Sequence, residues 1–212
     1  MKIPFDADRS FDAVLCDVDN VIRFYDSGPL AALERAAGLA EGSTARVAFA
    51  PEMDLPLMRG EIGLGQWVES IVAGFAGRVS EERARELGRA LADSPFRADA
   101  EIVALLRRVR AARVPLVLVT NATVRLEDDL ASMGLSDLAD HVVSSARLGV
   151  VKPDRKIYEI AASLAGAAFD RCLFVDDTEE NVEAAVALGM TGVVYREPAD
   201  LRAVLGPLPA LG

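Results

Sequence analysis

Short apolar runs that stop abruptly at polar residues recur along this chain. Phe11 to Cys16 halts at Asp17-Val18-Asp19-Asn20, Val114 to Val119 at Thr120-Asn121, and Cys172 to Val175 at Asp176-Asp177. His141-Val142-Val143-Ser144 and Thr191 to Tyr195 are two further runs of the same kind. Their length and their β-branched content predict buried strands, although for the first run periodicity alone does not exclude a buried helix. Between them the spacing turns helical. Ile102, Leu105, Leu106 and Val109 form one stripe, and Val124 to Met133 a second helix that stops at Gly134. Ile157, Ile160, Ala161 and Leu164 follow Lys152-Pro153, taken as the helix opening, and Val182, Ala185 and Val186 complete the series. Strands separated by helices of this length predict right-handed crossovers and a parallel sheet with helices on both faces, a Rossmann-like α/β core.

One block breaks the alternation. From the turn signal Asp26-Ser27-Gly28-Pro29 to about Pro95 the patterns are helical only. Leu30 to Leu39 is alanine-rich, and Leu64, Trp67, Val68, Ile71, Val72 and Phe75 make a stripe. Met58 to Gly63 reads as a loop between helices, and Ser80 as an N-cap before the first-turn acids Glu81 and Glu82. The block therefore reads as a small all-helical insertion. The expected division is 1–22 with 96–212 as the α/β core and 23–95 as the insertion, with a peripheral tail from Pro198.

Composition narrows the class. Apolar residues make up 51% of the 212, enough for a substantial core. With 23 basic against 33 acidic residues the net charge is −10, which disfavours nucleic acid and anionic membrane surfaces. No apolar stretch is long enough to span a bilayer, and no charged-then-apolar leader opens the chain. Cys16 and Cys172 both fall inside apolar runs and read as buried free thiols. A cytoplasmic protein with neither a nucleic-acid nor a membrane partner fits all of this.

Chemistry collects at the strand ends. Two acids one residue apart, Asp17 and Asp19, can hold a hard cation such as Mg²⁺, or divide nucleophile and acid/base work, or simply terminate a strand in a turn. Thr120-Asn121, Lys152 and Asp176-Asp177 each have an innocent explanation as caps, turns or a solvated lysine. Parallel strands, however, put all their carboxyl ends on one edge of the sheet, where α/β proteins bind ligands. Four such groups in this order can converge on one pocket.

On these residues the chain resembles the haloacid dehalogenase-like superfamily of aspartate-dependent phosphohydrolases. Its four signatures stand here as Asp17-Val18-Asp19-Asn20-Val21, Thr120-Asn121, Lys152-Pro153 and Phe174-Val175-Asp176-Asp177. Leu126, Leu130, Met133-Gly134-Leu135 and Ile157-Tyr158 extend the likeness, which runs from Phe11 to about Arg196. The helical block resembles the family's cap. The resemblance implies a Mg²⁺-dependent phosphatase acting on a small-molecule phosphate ester. Asp17 would attack phosphorus, and Asp19 would protonate the leaving oxygen and then activate water. Mg²⁺ would be held by Asp17, the Asp19 carbonyl and Asp177, with Asp176 supporting. Lys152 would offset the repulsion between Asp17 and the phosphate, while Thr120 and the backbone around Asn121 would hold phosphoryl oxygens.

Asn20-Val21 stands where the family usually has Gly-Thr, and Phe24 where it often has an acid. Members that cleave carbon–halogen bonds typically lack the second acid, so Asp19 favours phosphate esters. A phosphomutase and an idle phosphate-binding protein are the rival functions, and oligomeric state is left open. A sugar-nucleotide transferase leaves Lys152 and Asp176-Asp177 without a role, and an EF-hand fails because Gly28 stands where its bidentate acid belongs. Arg23, Arg59, Glu61 and Trp67 are candidates to face the leaving group, Asn181 is a candidate support, and His141 has no expected role.

Overall fold

The computed structural model describes residues 11–206. Expectations about positions 1–10 and 207–212, among them the missing leader and the outer limits of the core, lie outside the described residues. In chain order the first elements are β1 (Ala13–Cys16), β2 (Arg23–Tyr25), α1 (Gly28–Ala36), α2 (Ser43–Ala48), α3 (Pro51–Met58), α4 (Leu64–Gly74) and α5 (Glu81–Ala92). Then come β3 (Phe96–Ala98), α6 (Ala100–Ala111), β4 (Leu116–Thr120), α7 (Leu126–Ser132), β5 (His141–Ser144) and α8 (Ser145–Leu148). The last are α9 (Arg155–Ala165), β6 (Cys172–Asp176), α10 (Glu179–Ala187), β7 (Thr191–Val194) and α11 (Pro198–Leu205).

Five strands form a parallel sheet in the order β5-β4-β1-β6-β7, with β1 at its centre. Because successive side chains of a strand point to opposite faces, the apolar runs serve two cores at once. Val14, Cys16, Leu116, Leu118, Leu173 and Val175 pack with Ile102, Leu106 and Val109 of α6 and Leu126 and Leu130 of α7. Ala13, Leu15, Val117, Val119, Cys172 and Phe174 pack with Ile157, Tyr158 and Ala161 of α9 and Val182 and Ala185 of α10. Both cysteines are free and buried. Among the described residues no helix is long and apolar enough to cross a membrane.

Helices α1 to α5 carry a third buried cluster of their own, with Leu30, Trp67, Val68, Ile71, Phe75 and Leu87 at its centre. Ser80 caps α5 by accepting a hydrogen bond from the Arg83 N–H. The loop after α3 closes on α8, where Ser145 Oγ donates to the Met58 carbonyl at 2.7 Å. At Gly60, with φ of +69°, an added Cβ would lie 2.4 Å from the Ala146 carbonyl oxygen, so only glycine permits that approach.

Four expectations change. Residues 23–25, placed in the block expected to be all-helical, are a strand: β2 and β3 are antiparallel, Arg23 opposite Ala98 and Tyr25 opposite Phe96. Three-residue strands are too short for an alternation to show in sequence. The tail from Pro198 is not peripheral. It forms α11, whose Leu201 and Leu205 are buried in the core with α6, and Glu197 and Asp200 make a capping box before them. Lys152-Pro153 does not open α9, which starts at Arg155 with Asp154 as N-cap accepting from the Lys156 N–H. Leu164 and Val186, both assigned to helix stripes, are exposed.

Candidate active site

Asp17 follows directly on β1, and its N–H donates to the Val175 carbonyl of β6 at 2.9 Å, which fixes it between the two central strands. Lys152 arrives from beyond β5 by way of α8. Its Nζ lies 2.8 Å from Asp17 Oδ1, close enough for an ion pair though not aligned as a hydrogen bond, and donates to Asp176 Oδ2 at 2.6 Å. All three side chains are buried. Burial raises the Asp17 carboxyl above the usual carboxylate range, and the Lys152 charge acts against that rise. For Lys152 burial works to lower the ammonium, but the two carboxylates outweigh it and hold it above its ordinary value.

Asp176 is fully enclosed. Besides Lys152 it accepts from the Thr178 N–H at 2.8 Å and from Asn181 Nδ2 at 3.2 Å to each oxygen. Tyr158 OH in turn donates to the Asn181 carbonyl at 2.9 Å. Asp177 is half-buried at the rim, and Asn20 Nδ2 donates to it at 2.9 Å. Asn20 adopts φ of +58°, the left-handed conformation that asparagine tolerates better than most residues. It thus fits a position usual for glycine while giving Asp177 a donor, a contact that sequence alone left unread. The carboxylates of Asp17, Asp176 and Asp177 come within 4.8 Å of one another. Two of these acids share Lys152, and the third, Asp177, has no ammonium of its own beside it among the described residues. An all-oxygen, electron-rich set of this kind fits a hard divalent cation such as Mg²⁺.

The Thr120 hydroxyl at the end of β4 is buried with no hydrogen-bond partner, an arrangement that is costly unless something accepts or donates there. The Asn121 side chain is turned to the main chain of Lys152. Its Nδ2 donates to the Lys152 carbonyl at 3.1 Å and its Oδ1 accepts from the Lys152 N–H at 2.8 Å, so the side chain holds the lysine's main chain. Burial pushes both cysteine thiols up, Cys172 to about 11, so neither is a ready thiolate.

Asp19 is held by Arg23, one of four candidates to face the leaving group. Arg23 Nε and Nη2 donate to the two Asp19 oxygens at 2.6 and 3.0 Å, and Nη1 to Asp129 Oδ2 of α7 at 2.6 Å. The guanidinium is buried and lies 5.1 Å from the Tyr25 ring centre and 5.4 Å from that of Phe96. Asp129 carried no sequence signal beyond its place in an acidic first turn. Above these strand ends lies a cavity of about 500 Å³ whose wall includes Asp19, Asn121, Trp67 and Leu30. Arg59 and Glu61 are exposed and do not line it. His141 is likewise exposed.

A hydrolase site of this build, carboxylates at the centre of a parallel sheet with a lysine between them, has a family. The chain belongs to the haloacid dehalogenase-like hydrolases, whose model matches residues 11–189. It is 36% identical over 99 residues to a sesquiterpene phosphatase of Aspergillus oryzae, covering 46% of this chain and 50% of that protein. It is 32% identical over 106 residues to a phosphatase of Mycobacterium tuberculosis, covering 50% and 49%. The chain therefore spans about half the length of the curated relatives it matches. Haloacid dehalogenases are also among its relatives. In fold it is similar to a family enzyme of Bacteroides thetaiotaomicron solved with magnesium and inorganic phosphate: TM-score 0.67, 16% identity, 88% of this chain and 94% of that one.

Proposed function

We propose that the protein is a Mg²⁺-dependent phosphatase that hydrolyses a small phosphate monoester through an aspartyl-phosphate on Asp17. The observation that carries this is the placement of Lys152 Nζ between Asp17 and Asp176, with Asp177 beside them. An oxygen of Asp17 attacks phosphorus and the bond to the leaving oxygen breaks, while Asp19 gives that oxygen a proton. Water then attacks the aspartyl-phosphate, Asp19 takes its proton, and inorganic phosphate leaves with the Asp17 carboxylate restored. Lys152 neutralises part of the charge that would oppose the approach of two anions. The Thr120 hydroxyl and the Asn121 backbone N–H are the groups we assign to phosphoryl oxygens. Asp17, Asp177 and the Asp19 carbonyl would hold Mg²⁺, with Asp176 behind them, and the bound ion supplies charge stabilisation to the phosphoryl group. Magnesium and phosphate in the Bacteroides enzyme, and two relatives named as phosphatases, support the same choice.

The helical block, residues 23–95, is taken as a cap that closes over the strand ends and limits the substrate to a small molecule. Two free buried cysteines fit a reducing, cytoplasmic setting. Asp19 favours a phosphate ester over a carbon–halogen bond, because a departing alkoxide needs a proton and a departing halide does not. The test is inorganic phosphate release from a broad panel of monoesters, with Mg²⁺ and with EDTA, beside Asp17→Asn. Metal-dependent release that the variant lacks is expected. Release unaffected by Asp17→Asn would overturn the nucleophile, and transfer within a sugar phosphate without release would make the protein a mutase.

A further inference from the structure

The cavity above the strand ends has two unlike parts. Its floor is polar, formed by Asp19 and Asn121 to Thr123, next to the phosphate-binding elements. Its walls are apolar: Leu30, Phe49, Leu57, Met58, Leu64 and Trp67 all come from the helical block. A volume of about 500 Å³ is ample for an organic group well beyond the phosphate itself.

The charged residues around it are already satisfied. Arg23 is held by Asp19 and Asp129, and Arg125 is paired with Asp93 at 2.9 Å. No lysine lines the cavity. Of its other acids, Glu34 accepts from the Gly42 and Thr44 N–H groups at 2.7 and 2.6 Å, and Glu41 is paired with Arg35. Tyr25 and Phe96, the aromatic rings nearest the floor, already flank Arg23. The cavity thus offers no spare cation for a second phosphate or a carboxylate. Of its neutral polar groups, Asn121 is held by Lys152, Ser94 Oγ donates to the Ala90 carbonyl and Thr123 Oγ accepts from the Arg125 N–H. That leaves Ser27, Tyr25 and the unpartnered Trp67 indole N–H, few for a sugar's several hydroxyls once desolvated.

Resting on the phosphatase reading, we propose that this cavity takes an uncharged, largely hydrocarbon leaving group, so that the substrate is the phosphate monoester of an apolar alcohol. The polar floor receives the ester oxygen and the apolar walls receive the chain. Selectivity then comes from the area removed from water. Each methylene buried is worth about 0.8 kcal/mol, or about fourfold in kcat/KM where that contact persists in the transition state.

The experiment compares kcat/KM, with Mg²⁺ present, for ethyl, hexyl and decyl phosphate against glucose 6-phosphate, glycerol 3-phosphate and phosphocholine. All are used below any micelle-forming concentration. The expected result is a rise of about fourfold per added methylene until the cavity is full, then a plateau, with every polar ester at least about tenfold below hexyl phosphate. Ala45→Trp, which adds bulk to a wall residue of α2, should bring the plateau to a shorter chain; the wild-type series stands without it. A flat chain-length dependence, or a polar or cationic ester ahead of hexyl phosphate, overturns this proposal while leaving a phosphatase. No phosphate release from any ester overturns the phosphatase itself, and this proposal with it.

Discussion

Asn121 grips the main chain of Lys152 from both sides, its amide nitrogen on the lysine carbonyl and its amide oxygen on the lysine N–H, at 3.1 and 2.8 Å. The two residues stand 31 positions apart in the chain. Through that clasp the end of β4 determines where the lysine emerges, and so where its ammonium meets Asp17 and Asp176. Asn121→Ala should lower phosphate release by about 10- to 100-fold and cost about 1–3 kcal/mol of stability, because two buried backbone groups lose their partners. Asn121→Asp, which keeps the acceptor but not the donor, should fall between them. Steady-state kinetics beside urea unfolding checks this; an Asn121→Ala protein with wild-type turnover would remove the clasp from the mechanism.

Lys152→Ala should be worse for stability than for most single changes. Among the described residues the lysine is the sole cation in contact with two enclosed acids, and removing one partner of a buried ion pair costs about 3–5 kcal/mol. The loss should shrink when Mg²⁺ is added, since a divalent ion can take over part of the neutralisation. Thermal unfolding with and without Mg²⁺ reads both effects, and equal losses under the two conditions would contradict a metal at these acids.

Arg23 fixes both oxygens of Asp19 and is itself fixed by Asp129 and two rings. Arg23→Gln should reduce kcat by at least about tenfold with little change in KM, because it frees the proposed acid/base without touching the phosphate contacts. Arg23→Lys should recover only part of the rate, as an ammonium cannot hold two carboxylate oxygens in a planar fork. A change confined to KM would instead mark Arg23 as a substrate contact.

Glu34 of α1 is buried, and its two oxygens accept from the N–H groups of Gly42 and Thr44 at the start of α2. Glu34→Ala leaves both donors bare and should destabilise the helical block by about 1–3 kcal/mol. Glu34→Gln, which retains one acceptor, should cost less. Chemical denaturation followed by Trp67 fluorescence would report it, and an unchanged midpoint would show that water replaces the carboxylate.

Much of the fold was legible because the parallel sheet is buried on both faces, so its strands read as near-continuous apolar runs. The runs ending at the polar stops Asp17, Thr120 and Asp176 were visible for that reason, whereas the edge strand His141–Ser144, half exposed, showed through its β-branched pair Val142-Val143. The paired segments Arg23–Tyr25 and Phe96–Ala98 were not, since three residues carry no period. Helix α11 was hidden by a Pro- and Gly-rich composition that outweighed the spacing of Leu201 and Leu205. At the site, residue types announced the acids and the lysine, yet not who holds them. That Arg23 reaches Asp129 across 106 positions, and that Asn20 reaches Asp177 across 157, depends on the fold bringing α7 and β6 beside β1. Neither pair is a motif, and only the three-dimensional arrangement gives them meaning.

The antiparallel ribbon of β2 and β3 continues for one further bond, from the Asp26 N–H to the Pro95 carbonyl at 2.7 Å. The chain therefore departs for the helical block and returns from it at a single doorway. A segment whose two ends already touch can be exchanged or enlarged without moving the strands that carry Asp17, Lys152 and Asp176. On the function proposed above, leaving-group preference and phosphoryl chemistry would in that sense be separately heritable: the walls of the cavity could drift with each new alcohol while the acids and the lysine stay where the sheet puts them.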